Sequence, residues 1–185
     1  ALRIALLVGI PSALGLCLLS TPLLSAMFQY GKFNEYDVLM TSRSLITYSV
    51  GLPAFMLAKL LASAFYSKQN ISLPVKIATI SMVANMVLNV ILIFPLKHAG
   101  LALATSLGAW INAGLLYFNL LRGGHYRPCP GWWRYGFGLA LANAAMSACL
   151  FWLTPALTVW MSWSWQARVW RFTWVLLVAV VVYFI

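Results

Sequence analysis

Lys59 is the ionisable side chain that lies deepest in an apolar segment of this 185-residue sequence. It lies within Phe55–Ala64, about seven residues before the segment ends near Tyr66, or ~10 Å along a helix. If the segment crosses a membrane, a charge at that depth costs ~2.5–3.5 kcal/mol. Two interpretations remain open: the lysine stem extends to the membrane surface, or the ammonium faces a water-filled cavity and binds an anion such as a phosphate.

A second polar group lies on two neighbouring apolar segments. Asn85 and Asn89 are spaced i, i+4 and therefore project from one helical face. Thr105 and Asn112 lie on the next segment. Such side chains either form hydrogen bonds between helices, worth ~0.6 kcal/mol on average, or provide amide, hydroxyl and carbonyl oxygens for a small cation. Because carboxylates are missing nearby, a bound cation would need one from elsewhere.

The residues needed for catalysis or for a metal centre are scarce. The only acidic side chains are Glu35 and Asp37, and the histidines, His98 and His125, fall in separate loops. These residues assemble no set of nucleophile, base and orienting group, and the three cysteines show no metal-binding spacing. We therefore expect a protein that is not an enzyme and has no metal centre of this kind.

Composition restricts the class of protein. Hydrophobic residues make up 63% of the chain and charged residues 8%, whereas about a quarter of a soluble domain is charged. A soluble globular protein is therefore excluded. The net charge of +10 would suggest nucleic acid on a soluble protein, but here the basic residues lie between apolar blocks, where they meet anionic lipid headgroups. We expect contact with membrane lipids and none with nucleic acid.

Apolar intervals in the sequence are long enough to cross ~30 Å of hydrocarbon as helices of ~20 residues. They lack the period-2 alternation of barrel strands, which leaves helices as the spanning structure. The predicted fold class is an all-α, polytopic transmembrane helical bundle. Its six predicted spans cover about residues 3–27, 38–64, 73–95, 99–121, 133–153 and 167–185.

Two prolines predict irregularities within the spans, and the first residue indicates a longer protein. Pro11 and Pro53 fall inside predicted spans, where each removes an intrahelical hydrogen bond. We expect kinks there, with neighbouring helices supplying donors for the freed carbonyls; each kink is either static packing or part of a moving helix. The sequence opens at Ala1 inside an apolar run, so we expect it to be part of a larger membrane protein.

Several ordered segments resemble one known family. They are FQYGKF at 28–33, TYSVGL at 47–52, FYS at 65–67, PVKIA at 74–78, PLKHAGL at 95–101 and, later, NA at 112–113, LLY at 115–117 and PGW at 130–132. In sequence and spacing they resemble the MurJ (MviN) family of bacterial lipid II flippases. The resemblance is in register from about residue 1 to 135 and looser from there to the end.

The resemblance implies a fold and an activity. The family has fourteen helices and belongs to the MOP superfamily of MATE-like transporters, and this chain would supply helices nine to fourteen. Residues 1–122 would be the last four helices of the C-terminal six-helix lobe, and residues 123–185 a helix pair that forms a groove for a lipid tail. The implied activity is the flipping of lipid II, an undecaprenyl-diphosphate-linked disaccharide peptide, across the cytoplasmic membrane by a monomer, through alternating access, for cell-wall synthesis.

The resemblance also implies roles for particular residues. Lys59 matches a lysine in the transport cavity, which implies contact with the lipid-linked diphosphate. Asn85, Asn89 and Thr105 match, by spacing, positions that hold Na⁺ in some members, with the carbonyl of Leu101 as a further ligand. Asn89 stands where those members have an acid. Na⁺ is therefore the one cofactor that the resemblance suggests.

Two other functions compete with this interpretation. One keeps the superfamily and changes the cargo to another polyprenyl-linked saccharide or to a drug. The other is a membrane scaffold that transports nothing. Lys59 separates the scaffold from the transporters, because a scaffold does not need an intramembrane cation.

Overall fold

The computed structural model describes residues 2–28, 35–67, 69–123, 131–154, 159–160 and 163–184. All structural statements concern these residues. Most of the 28–33 motif and His125 lie outside them.

The described chain is helical throughout its length. The helices are α1 Leu2–Phe28, α2 Glu35–Ser49, α3 Leu52–Tyr66, α4 Ser72–Leu96, α5 His98–Arg122, α6 Trp132–Leu153 and α7 Trp165–Phe184. Six helical segments are long and apolar enough to cross a membrane, with α2 and α3 forming one of them together. The all-α bundle with six spans is thus confirmed, while the division of the chain at residue 122 stays a prediction.

Helix α1 joins two groups of helices. It packs on α2 and α3, which pack in turn on α5, and α5 packs on α4. Helix α1 also packs on α6 and α7. Each group has its own apolar core. The first core is formed by Leu61, Phe65, Ile77, Leu116 and Leu120. The second is formed by Leu19, Met146, Leu150, Val175 and Ala179.

The prolines inside the spans have different effects. Helix α1 continues through Pro11, which cannot donate to the carbonyl of Leu7 four residues earlier. The Tyr183 hydroxyl of α7 donates to that carbonyl at 2.6 Å, so a neighbouring helix supplies the donor, as the sequence predicts. The other span is interrupted just before Pro53, because α2 ends at Ser49 and α3 begins at Leu52.

Helices α4 and α5 form an antiparallel hairpin with a very short connection. Lys97 joins them in a conformation with positive φ, +49°. Gly100 is packed so closely on the carbonyl of Leu92 that a side chain at this position would collide with the backbone of α4. Further along, a Cβ on Gly108 would lie 3.0 Å from the Cβ of Asn85. These two pairs fix the register of the hairpin and turn the asparagine face of α4 toward α5.

Candidate functional site

Lys59 lies on the face of α3 that points away from the apolar core. The core face of this helix carries Ala54, Leu61 and Phe65. Lys59 is two residues from Leu61, which places it about 200° around the helix from that residue. Its side chain is exposed, and none of the three cavities described below is lined by it. The ammonium is thus presented outward, on a surface that the described part of this chain leaves open.

Ser63 and Tyr66 extend the same surface, and sequence reasoning missed them. Together with Lys59 they are spaced i, i+4, i+7 and share one helical face. Both side chains are exposed, and the Ser63 hydroxyl donates only to the carbonyl of Leu60 in its own helix, at 2.8 Å. We call Lys59, Ser63 and Tyr66 the polar stripe. The spacing from Lys59 was the available signal.

The polar stripe differs from the outward face of α4. That face is exposed as well, but it is apolar, as expected for a surface in contact with lipid tails. Its members include Ile80, Val83, Val87, Ile91 and Phe94. An ammonium with two hydroxyls is unsuited to that environment. The stripe therefore presents one cation and two hydroxyls on an exposed face of α3.

The predicted cation ligands lie in the hairpin of α4 and α5. The Asn89 amide donates to Oδ1 of Asn85 at 3.0 Å, and the Thr105 hydroxyl donates to the carbonyl of Leu101 at 2.9 Å. The register of the hairpin puts Asn89 within one helical turn of Thr105 along the helix axis. Of these residues, Asn85 packs against Gly108 of α5, and each of the two hydrogen bonds stays within its own helix.

Unpaired side-chain oxygens remain on both helices of the hairpin. Oδ1 of Asn89 and Oδ1 of Asn112 are buried, and neither has a hydrogen-bond partner within the described ranges. The buried hydroxyl of Ser81, one helical turn from Asn85, is unpaired in the same way. Such oxygens suit a small hard cation or ordered water. The oxygens of Asn89, Asn112 and Ser81 all belong to neutral amide or hydroxyl groups.

An apolar cavity of about 420 Å³ lies between α1, α6 and α7. It runs along α1 from Leu7 to Leu23, and Gly15 leaves open space in its wall. Tyr183 closes one end through its hydrogen bond to Leu7. We call this cavity the groove. Its length and its apolar lining suit an extended hydrocarbon chain.

Two smaller cavities flank the groove and α3. One of about 360 Å³ shares Leu7 and Tyr183 with the groove and extends to Arg134 at the start of α6. The other, of about 240 Å³, lies beside Leu57 and Trp110 and is mostly apolar. The cavity of about 360 Å³ therefore adjoins the groove at the end that Tyr183 closes.

Comparison with known proteins gives one consistent result. A family profile described as "Lipid II flippase MurJ" matches residues 1–179. The chain is 40% identical over 151 residues to the lipid II flippase MurJ of Burkholderia cenocepacia, covering 82% of this chain and 29% of that protein. It is 40% identical over 168 residues to the probable lipid II flippase MurJ of Vibrio cholerae, covering 90% and 32%.

A solved structure agrees with these sequence matches. The lipid II flippase MurJ in an inward closed conformation superposes with a TM-score of 0.75 at 26% identity, covering 99% of this chain and 36% of that one. The chain thus spans about a third of the length of the relatives that it matches.

Proposed function

Since the chain belongs to the lipid II flippase MurJ family, we propose that it is part of a transporter that moves lipid II from the inner to the outer leaflet by alternating access. The family and the six apolar helices make it a multi-pass protein of the bacterial cytoplasmic membrane. In this proposal the transporter acts as a monomer, without catalysis, and supplies precursor for cell-wall synthesis.

The polar stripe is the observation that carries the proposal. A diphosphate headgroup crosses hydrocarbon only through a hydrated, cationic cavity that opens to each side in turn. Lys59 supplies a point charge for the diphosphate, and the hydroxyls of Ser63 and Tyr66 lie beside it for sugar or phosphate oxygens. The stripe faces away from the core of this chain, so the cavity forms between α3 and helices contributed by the rest of the transporter.

The groove is proposed to take the polyprenyl tail. The headgroup needs water and charge, whereas the tail gains by staying in contact with apolar surface. The groove offers such a surface beside the bundle, between α1 and the pair α6 and α7. The tail would remain there while the headgroup passes through the cavity.

Na⁺ is proposed as the coupling ion, held at the α4–α5 interface. The ligands would be the oxygens of Asn85, Asn89 and Thr105 and the carbonyl of Leu101. The unpaired Oδ1 of Asn89 supports this assignment, because it is an available ligand oxygen. A further ligand from the rest of the transporter would complete the shell.

A chimera tests the transport role of Lys59. The matching segment of the Burkholderia cenocepacia relative is replaced by this chain, and the chimera is expressed in cells depleted of their own flippase. Lys59→Met removes the charge and keeps an unbranched side chain of similar length, so we expect rescue to be lost while the amount of chimera in the membrane stays normal. Arg122→Met removes an exposed cation at the last turn of α5 and should still rescue.

Full rescue by Lys59→Met would contradict the cavity role and favour the scaffold. Loss of rescue together with retained transport of another polyprenyl-linked saccharide, or of a drug, would indicate a different cargo. Lipid II transport in vesicles that contain the purified chimera separates these outcomes.

A further inference from the structure

The break between α2 and α3 lies in the middle of a membrane span. The helix is interrupted between Ser49 and Leu52. The Val50 amide still donates to the carbonyl of Ile46 at 3.4 Å, but the Gly51 amide bonds to the carbonyl of Tyr48, only three residues back. Pro53 contributes to the break because it has no amide hydrogen to offer. In hydrocarbon, the carbonyls left open at such a point need donors from elsewhere.

Two side chains of α5 supply those donors. The buried Ser106 hydroxyl donates to the carbonyl of Thr47 at 2.7 Å. One helical turn later, Nε1 of Trp110 donates to the carbonyl of Val50 at 3.1 Å. The first bond holds the end of α2, and the second holds the connection to α3.

Gly51 makes this contact sterically possible. A Cβ at this position would lie 2.7 Å from Oγ of Ser106 and 2.9 Å from its Cα. Because one of those atoms belongs to the backbone of α5, a side chain at position 51 would force the two helices apart. The break is therefore packed against α5 as closely as the chain allows.

We propose that Ser106 and Trp110 form a latch that fixes the angle between α2 and α3 and so positions Lys59. This inference rests on the proposed function of Lys59. That residue follows Gly51 by eight positions, or ~12 Å along α3. With a lever of that length, a change of ~10° at the break moves the base of the lysine side chain by ~2 Å. Ser106 and Trp110 are positioning residues, and they act on the substrate through α3.

The angle is measured in the chimera with spin labels on the two halves of the span. Labels at Arg43 on α2 and at Ser67, just beyond α3, both occupy exposed positions in a background without native cysteines. Ser106→Ala combined with Trp110→Phe removes both donors. At about 2.8-fold for each hydrogen bond between helices, we expect the population of molecules with a changed angle between α2 and α3 to rise by about eightfold. The distribution of distances between the labels at positions 43 and 67 should broaden, and lipid II transport by the chimera should fall.

Matched controls separate the latch from general loosening of the bundle. Labels at Ser72 and Leu96, at the two ends of the unbroken α4, should keep their distance distribution in the same variant. Trp152→Phe alters a side chain that is 92% exposed and should change neither readout. Gly51→Ala should broaden the distribution across the break, whereas Gly136→Ala, where an added Cβ meets no atom within 4 Å, should not.

An unchanged distribution between positions 43 and 67 in the double variant would overturn the latch, whatever happens to transport. Broadening without any loss of transport would show that the angle does not position a group that transport needs. If instead the proposed role of Lys59 is wrong, the chimera with Lys59→Met transports lipid II normally. The double variant still broadens the distance distribution in that case, so the two failures can be told apart.

Discussion

The two asparagines of α4 differ in whether the side-chain amide oxygen has a hydrogen-bond partner. Oδ1 of Asn85 accepts a hydrogen bond from Asn89, whereas Oδ1 of Asn89 is buried without a partner in the described part of the chain. A buried acceptor without a partner costs about 1–3 kcal/mol. We expect Asn89 to be the residue of this pair whose substitution changes ion binding most.

Substitutions at Asn89 test that expectation. Asn89→Asp adds a formal negative charge at the same place, so Na⁺ should bind the purified chimera at least tenfold more tightly, about 1.4 kcal/mol. Asn89→Leu removes the oxygen and should weaken binding by a similar factor. Binding of radioactive Na⁺ to the purified chimera measures both changes.

Asn119→Leu is the control for the loss of an amide. Asn119 lies on α5, and its amide bonds within its own helix, to the carbonyl of Leu115. This variant should bind Na⁺ as the unmodified chimera does. If all three variants bound Na⁺ equally, the ion site would have to lie elsewhere.

At the scale of single residues, the sequence predicts what is unusual for its surroundings. Lys59 is conspicuous because a charge in an apolar segment is costly. Ser63 escapes notice because serine hydroxyls commonly bond to the carbonyls of their own helix, and Tyr66 because tyrosine is common near the ends of membrane helices. Their relevance depends on which face of α3 the core uses, and packing against α1 and α5 decides that.

At the scale of helices, the groove depends on a small residue in α1. Gly15 faces the groove, and an added Cβ there meets no atom within 4 Å. Gly15→Leu should therefore be tolerated by the bundle while its side chain fills the space proposed for the lipid tail. We expect the chimera to keep its membrane level and to lose most of its lipid II transport.

The matched control is Gly136→Leu on α6. Gly136 is exposed, and space around it is open as well, but it does not line the groove. Both substitutions replace a helical glycine and raise helix propensity. Equal transport by the two variants would show that the groove does not hold the tail.

Helix positions are predictable from the sequence for a local reason. Intervals without charge must lie in hydrocarbon, and the length of each follows from membrane thickness. A disturbance near Pro53 is predictable as well, because it follows from the missing amide. The identity of the donors is not, because Ser106 and Trp110 are about sixty positions from their acceptors in the chain.

At the scale of the whole molecule, the chain has two kinds of open surface. The outer face of α4 is apolar and suits lipid, whereas the polar stripe of α3 needs water or other polar groups. A cavity around Lys59 therefore requires partners beyond the described helices. The chain spans about a third of the length of the relatives that it matches, and in the proposed function the other wall of the cavity comes from the rest of the transporter.

The isolated chain should for this reason be unable to transport. When residues 1–185 alone are purified and placed in lipid vesicles, we expect no lipid II movement above that of empty vesicles, because α3 supplies only one wall of the cavity. The chimera, measured in parallel in the same vesicles, should move lipid II and should stop doing so with Lys59→Met. Far-ultraviolet circular dichroism confirms that the isolated chain is helical, so that a negative result reflects the missing wall and not an unfolded chain. Transport by the helical isolated chain at the rate of the chimera would mean that a complete path lies within these helices and that the cavity does not depend on the rest of the transporter.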